Sequence, residues 1–280
     1  MPEVISSSED SSQRVFELCG EGAYDAAMIV AATAVATLDA RREAGADVDV
    51  LQLATSLRGL AAVHECLGQH AESAECADRA IALWLGAEQK DEPQLGMVMH
   101  TRATSHLVAG EFDEALPLLE RAASILENAG ERFAQDFMAV LLTMAELSSH
   151  HGEFVRGRAL YARVLDSLAD VDATSPEHAA AINGMSARAL FGLGSSFAQA
   201  GQADKAVDYL SRSIELFEAG FGLDHPEVLS AKQAIASIYR VVGQTEAADS
   251  LESELEAVER HDEVGVEDLD VVVRFDDHES

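Results

Sequence analysis

The sequence predicts an all-α protein, a solenoid of about six helix-turn-helix repeats with an acidic C-terminal tail. Three observations carry that prediction. A six-residue phrase recurs, clearest at Gly110-Glu111-Phe112-Asp113-Glu114-Ala115, with weaker copies beginning at Gly22, Gly68, Gly152, Gly201 and Gly243. Three of its five intervals are 42 residues and the others are 46 and 49. A fixed period of roughly 20–50 residues marks stacked supersecondary units, not one closed core. Apolar residues fall at helical rather than alternating spacing. Finally, 48% of the 280 residues are hydrophobic and only five are proline, so a continuous helical core can be buried.

Residues 1–12 are expected to precede the first helix as a disordered segment, residues 13–260 to form the solenoid, and residues 261–280 to form the tail. Each repeat reads as a helix A, a tight turn at the phrase glycine, and a helix B. In the third repeat, helix A is expected over about 94–109. Gly110 ends it, because glycine adopts the left-handed conformation that a C-terminal cap needs. Helix B then begins near Asp113, where acids suit the first turn. Its apolar stripe is Ala115, Leu118, Leu119, Ala122 and Ala123, one face of a helix. The A helices align through Leu57, Leu60 and Ala61, then Leu141, Met144 and Ala145, then Leu190, Leu193 and Gly194.

The irregular intervals have local readings. Four extra residues in the first interval fit an acidic linker at 45–49. Seven extra residues in the fourth lie around 170–184, where Ser175-Pro176-Glu177 is a helix start signal. They are expected to lengthen helix A by two turns, with Asn183-Gly184 absorbed. The tail carries Val271-Val272-Val273-Arg274-Phe275 between acidic flanks. That run is too β-like to continue a helix. It is read as a solvated terminus or as a short peptide that docks on the solenoid or on a partner.

The charge is extreme: 50 acidic residues against 19 basic ones give a net charge of −31. Nucleic acid and anionic membrane surfaces are therefore not expected partners, since both are polyanions. Low lysine with abundant acid also suits a salt-rich environment, where screening relieves self-repulsion. No secretory signal and no apolar stretch of about 20 residues is visible. Three cysteines, Cys19, Cys66 and Cys76, fit a reducing compartment better than a disulfide framework. A cytoplasmic location is expected.

No catalytic arrangement stands out. The chain lacks a phosphate-binding Gly-x-x-x-x-Gly-Lys-Ser/Thr loop, a Gly-x-Ser-x-Gly elbow and a His-Glu-x-x-His helix. No enzyme activity and no cofactor is expected. His64, Cys66, His70 and Cys76 are close in sequence, but residues two apart on a helix face differently, so no metal site is expected. His64 and His106 hold the same slot 42 residues apart. Their rings are expected to pack at the contact of helices A and B.

The repeat resembles the tetratricopeptide repeat. The 42-residue period and the sentence Leu216-Phe217-Glu218-Ala219-Gly220-Phe221-Gly222-Leu223-Asp224-His225-Pro226-Glu227-Val228 resemble the longer variety of kinesin light chains, with its Gly-x-x-His-Pro linker. The resemblance implies a right-handed superhelix and a non-enzymatic adaptor or scaffold that holds a peptide segment of a partner in a groove lined by the A helices. By position in each repeat it places Arg58, Glu65, His100, Thr104, Glu146, Arg188, Phe191, Ser195, Gln233 and Arg240 in that groove. Arg58, Arg188 and Arg240 are notable in so acidic a chain. They suit an anionic peptide, or else neutralise nearby acids. Phe191 would be an apolar anchor. The expected partner is a protein or peptide, with the tail in cis as an alternative occupant. The alternative function is a peptide-responsive regulatory sensor acting on a separate effector chain.

Overall fold

In a computed structural model, the chain is described over residues 8–87, 93–169, 171, 173–223 and 225–267. Among these residues there are twelve α-helices and no strand. In order they are α1 (Ser8–Gly20), α2 (Tyr24–Glu43), α3 (Val50–Cys66), α4 (His70–Gly86), α5 (Pro93–Val108), α6 (Phe112–Asn128), α7 (Ala134–His150), α8 (Phe154–Leu168), α9 (Pro176–Gln199), α10 (Ala203–Phe221), α11 (Pro226–Val242) and α12 (Thr245–Glu267). A short 3-10 turn, Glu131–Phe133, precedes α7.

Odd-numbered helices are the A helices and even-numbered ones the B helices. Each phrase glycine lies between an A helix and its B helix, with φ of 73° at Gly22, 69° at Gly68, 76° at Gly110 and Gly152, 71° at Gly201 and 82° at Gly243. The same two hydrogen bonds close every turn. The Gly110 N–H donates to the Leu107 carbonyl at 3.0 Å, and the next N–H, of Glu111, donates to the His106 carbonyl at 2.8 Å. This Schellman closure satisfies carbonyls that the end of a helix leaves orphaned. An L side chain in that conformation costs roughly 1–2 kcal/mol, which is why glycine recurs there.

The long intervals are absorbed as helix. The 20-residue α2 ends at a further Schellman turn, Gly45, with φ 76°. Asp49 then caps α3, its carboxylate accepting the Leu51 N–H at 3.0 Å. At 24 residues, α9 is seven longer than the 17-residue α3 and α11, and it runs unbroken through Asn183 and Gly184. Ser175 caps it, accepting the His178 N–H at 3.1 Å, with Pro176 at the first helical position, where its missing N–H costs nothing. His225 caps α11 by accepting the Glu227 N–H at 3.3 Å. Its ring also lies 5.7 Å from Phe217 and 4.9 Å from Phe221. The linker histidine therefore joins the end of α10 to the start of α11.

The chain divides into two compact units, Met1–Leu147 and Ser148–Ser280. In unit 1, consecutive helices from α1 to α6 pack on one another, and the A helices also meet, α1 on α3 and α3 on α5. Its core includes Leu53, Leu57, Trp84, Leu95, Leu119 and Leu126, all nearly inaccessible. In unit 2 the helices from α8 to α12 pack in the same serial way, with α9 also touching α11. Its core includes Tyr161, Leu190, Leu210, Phe217 and Ile235.

At both ends helix extends further than the sequence suggests. α1 begins at Ser8, inside the segment 1–12, and α12 continues to Glu267, seven residues into the segment 261–280. The apolar run 271–275, and with it the docking of the tail in cis, lies outside the described residues.

Candidate functional site

The most distinctive site in unit 1 is on its A helices. Arg58 of α3 lies with its guanidinium carbon 4.4 Å from the centre of the Phe16 ring of α1. It opens onto a cavity of about 150 Å³, whose wall also includes His100 and Thr101 of α5 and Asp136 at the start of α7. The Arg58 Nε is buried and has no hydrogen-bond partner. Burial pushes the Arg58 pKa down to about 10, opposed by the carboxylate of Asp136. Burial pushes the Asp136 carboxyl up, opposed in turn by Arg58. Desolvation of each charge thus exceeds the attraction between them. Among the described residues no direct ion pair joins the two.

His100 borders this cavity in a fixed orientation. Its Nε2 is 2.9 Å from Thr143 Oγ1 of α7. The Thr143 hydroxyl donates to the Ala139 carbonyl at 3.1 Å, so its oxygen accepts from the ring, which carries its proton on Nε2. Thr104, one turn further along α5, donates to the His100 carbonyl at 3.2 Å. Glu65 and Glu146 are half-buried on α3 and α7. Burial raises the Glu65 carboxyl to about 7.

The residues expected in the groove of unit 2 have other surroundings. Phe191 packs against the buried cluster of Leu210, Ala231 and Ile235 instead of standing free as an anchor. Ser195 borders a largely apolar cleft of about 370 Å³, with Ala198, Ala234, Ile238 and Val241 on its wall. Gln233 and Arg188 are exposed, and the Gln233 carbonyl accepts from Ser237 at 2.9 Å. Arg240 is turned to α12, where Asp249 and Glu252 neutralise it. Arg240 is paired with acids of its own repeat, and Arg58 faces Asp136.

The histidine slot also departs from expectation. His64 Nδ1 is 2.7 Å from Gln69 Oε1, and His106 Nδ1 is 2.7 Å from Glu111 Oε2. Each partner is the residue after a turn glycine, and its N–H already bonds the carbonyl of the same histidine. These rings therefore clamp the turn through hydrogen bonds. Packing alone does not describe them. Among the described residues no three His, Cys, Asp or Glu side chains gather as metal ligands.

Two site residues were not picked out from the sequence. Phe16 lies 46 residues before Ala62, the length of the first interval. It therefore occupies the groove slot that continues as Thr104 and Glu146, and the repeat register alone could have found it. Asp136 carries only a weak signal, an acid in the first turn of an A helix.

The sequence profile of the tetratricopeptide repeat matches residues 52–128 and 185–258, more than half of the chain. The chain belongs to the tetratricopeptide repeat family. The fold is shared with the TPR-like repeats of a Podosopora anserina protein described as a kinesin light chain. That match has a TM-score of 0.58 at 19% identity and covers 78% of this chain and 99% of that one. It is shared with BtubC of P. vanneervenii, at TM-score 0.64 and 15% identity, over 92% and 96% of the two chains. The apo quorum sensor NprR of B. thuringiensis matches at TM-score 0.68 and 11% identity, over 90% of this chain and 64% of that one. At these identities the likeness is one of fold. Curated protein sequences give no match. No described helix of this tetratricopeptide protein is long and apolar enough to cross a membrane.

Proposed function

We propose that this tetratricopeptide protein is an adaptor or scaffold that binds a peptide segment of a partner on the A-helix face of unit 1, centred on Arg58. The observation that supports the reading is the convergence of α1, α3, α5 and α7 on one cavity lined by Arg58, His100 and Asp136. Phe16 and Met97 supply apolar wall, and Arg58, His100 and Asp136 supply fixed polar groups. That mixture suits a side chain of an incoming peptide.

Selection of a random peptide library on the full chain tests this. Enriched peptides should bind the wild type and lose at least tenfold in affinity for Arg58→Ala, while Gln233→Ala, in unit 2, changes nothing. Equal binding to all three proteins would sink the assignment. The C-terminal tail in cis is a second occupant to test. If deletion of 268–280 leaves peptide affinity unchanged, the tail does not compete.

A second reading is a peptide-responsive sensor acting on a separate effector chain. It draws on the shared fold with NprR, which is also solved in complex with its cognate peptide NprX, at TM-score 0.62 and 11% identity. Contacts between successive units only make repeat proteins easy to bend. A change in scattering radius on adding a selected peptide would favour the sensor, and an unchanged radius the scaffold.

A further inference from the structure

The ends of α1 and α3 bring two thiols together. Val15 of α1 lies against α3, with its Cγ1 3.7 Å from the Cβ position of Gly59. Residues three and four apart share a helix face. Cys19 therefore continues the face of Val15, and Cys66 continues that of Gly59 through Ala62. Repeat register gives the same pairing. His100 meets Thr143, 43 residues on and one beyond the 42-residue period. Cys66 is 47 residues after Cys19, again one beyond the 46-residue first interval. Both thiols are free, with Cys66 exposed and Cys19 half-buried. Burial pushes the Cys19 thiol up to about 11, and Cys66 adds to this through its charge and a side-chain hydrogen bond.

The third cysteine, Cys76, is half-buried on the B helix α4. We infer that Cys19 and Cys66 are an oxidative modification site, which takes a peroxide as co-reactant and closes to a disulfide between α1 and α3. The thiolate is the reactive form of a cysteine, and Cys66 is the one that solvent reaches. Its sulfur attacks one peroxide oxygen and the O–O bond breaks. The leaving hydroxide takes up a proton as water, and Cys66 becomes a sulfenic acid. Cys19, kept protonated by burial, is the resolving thiol. Its sulfur attacks the Cys66 sulfur, and its proton leaves with the sulfenic hydroxyl as a second water. The two thiols lose two electrons in all, which the peroxide takes up. A thiol reductant reverses the bond by exchange. Phe16, one turn before Cys19, and Ala62, one turn before Cys66, both line the Arg58 cavity. The disulfide therefore fastens the α1 wall of that cavity to α3, whichever ligand the cavity takes.

The test treats the reduced full chain, at low protein concentration, with hydrogen peroxide. Free thiols are alkylated and the chain is mapped by mass spectrometry without reduction. The expected product is a Cys19–Cys66 linked peptide two hydrogens lighter than its parts, lost on adding dithiothreitol, with Cys76 still alkylated. A Cys66–Cys66 dimer, a bond to Cys76, or Cys66 carried on to sulfinic acid while Cys19 stays free overturns the inference. Cys19→Ser cannot close the bond, so dimedone present during the treatment should capture Cys66 as its sulfenic acid. A Cys66 that dimedone leaves unlabelled there overturns the assignment of Cys66 as the first thiol to react. Hydrogen exchange then separates a native bond from one trapped in an opened chain. In the oxidised wild type, exchange in α1 should slow by about threefold or more, because the cross-link restrains fraying of the terminal helix. Exchange that is unchanged or faster overturns the inference. These readouts need no ligand, so their failure leaves the peptide-binding reading untouched.

Discussion

The A helices of the two units carry the same repeat slots with different chemistry. The slot of Arg58 recurs as His100 in α5, Leu142 in α7, Phe191 in α9 and Gln233 in α11, at steps of 42, 42, 49 and 42 residues. In unit 1 it builds a polar cavity in which Arg58 faces Asp136. In unit 2 the same slot lays a partly buried Phe191 against the core residues Leu210 and Ile235, and the neighbouring cleft is largely apolar. The turn glycines and small helix-contact residues maintain the repeat, whereas the A-face slots are free to differ. The chemistry of the A face is therefore a property of those slots, and the recurring phrase carries none of it.

The next slot along offers the sharpest way to break this comparison. It holds Gly59 in unit 1 and Gly192 in unit 2. A Cβ on Gly59 would meet only Val15 Cγ1 at 3.7 Å, an ordinary contact. A Cβ on Gly192 would fall 2.1 Å from Tyr161 Cζ and 2.5 Å from its hydroxyl oxygen, and Tyr161 is only 3% exposed, so its ring has nowhere to go. Gly192→Ala should cost about 3 kcal/mol, at the upper end of overpacking. Gly59→Ala should be neutral or stabilise by up to about 1 kcal/mol through helix propensity. Urea midpoints followed by far-ultraviolet circular dichroism measure both, and hydrogen exchange in α8 and α9 locates the loss. Equal effects at the two glycines would mean that the units are packed alike after all.

A second contrast is electrostatic. Glu65 and Arg240 share one slot, yet Glu65 is half-buried and Arg240 is exposed. Burial raises the Glu65 carboxyl from 4.5 to about 7. Between those values the folded chain keeps a proton that the unfolded chain releases, so the stability contributed by this group is full below about pH 4.5 and lost as pH rises to about 7. Glu65→Gln removes that dependence. It should match the wild type near pH 4.5 and exceed it by on the order of 2 kcal/mol at pH 8. The single tryptophan, Trp84, is buried in α4 of unit 1, so its fluorescence during urea unfolding reports the relevant unit. A variant that gains nothing at high pH would show that the carboxylate finds solvent.

Helix pairs, turn positions and the lengthening of α9 were all legible in the sequence, because they rest on local rules: a glycine at positive φ, a serine cap, and a helical apolar period. The histidine slot was legible as a repeat position but not as a clamp, since its partner is fixed by the geometry of the closed turn. The cavity was legible in part. Arg58 and His100 followed from repeat register. Asp136 did not, because its relation to Arg58 depends on how α3, α5 and α7 sit side by side, and no spacing rule encodes that. Arg240 shows the converse limit. Register placed it in a groove, but the acids at 249 and 252 lie on the helix that packs against its own, and they hold it there.

The smallest effect is expected at Arg240 itself, and it closes the comparison with Arg58. The Arg240 ion pairs are solvent-exposed, and such pairs contribute little because screening and side-chain ordering offset the attraction. The guanidinium is held more firmly in its charged form by Glu252, but that firmness concerns its protonation, not the fold. What fastens α12 to α11 is apolar burial: Ala248 is inaccessible and Leu251 packs on the cluster of Leu210, Ala231 and Ile235. Arg240→Ala should therefore leave the urea midpoint unchanged within error at 0.1 M salt, and should leave selected peptides bound as tightly as before. Arg58→Ala, by contrast, should weaken that binding at least tenfold. If Arg240→Ala weakens peptide binding as much as Arg58→Ala does, then the acids of α12 release this arginine to a ligand, and the A face of unit 2 shares the work assigned above to unit 1 alone.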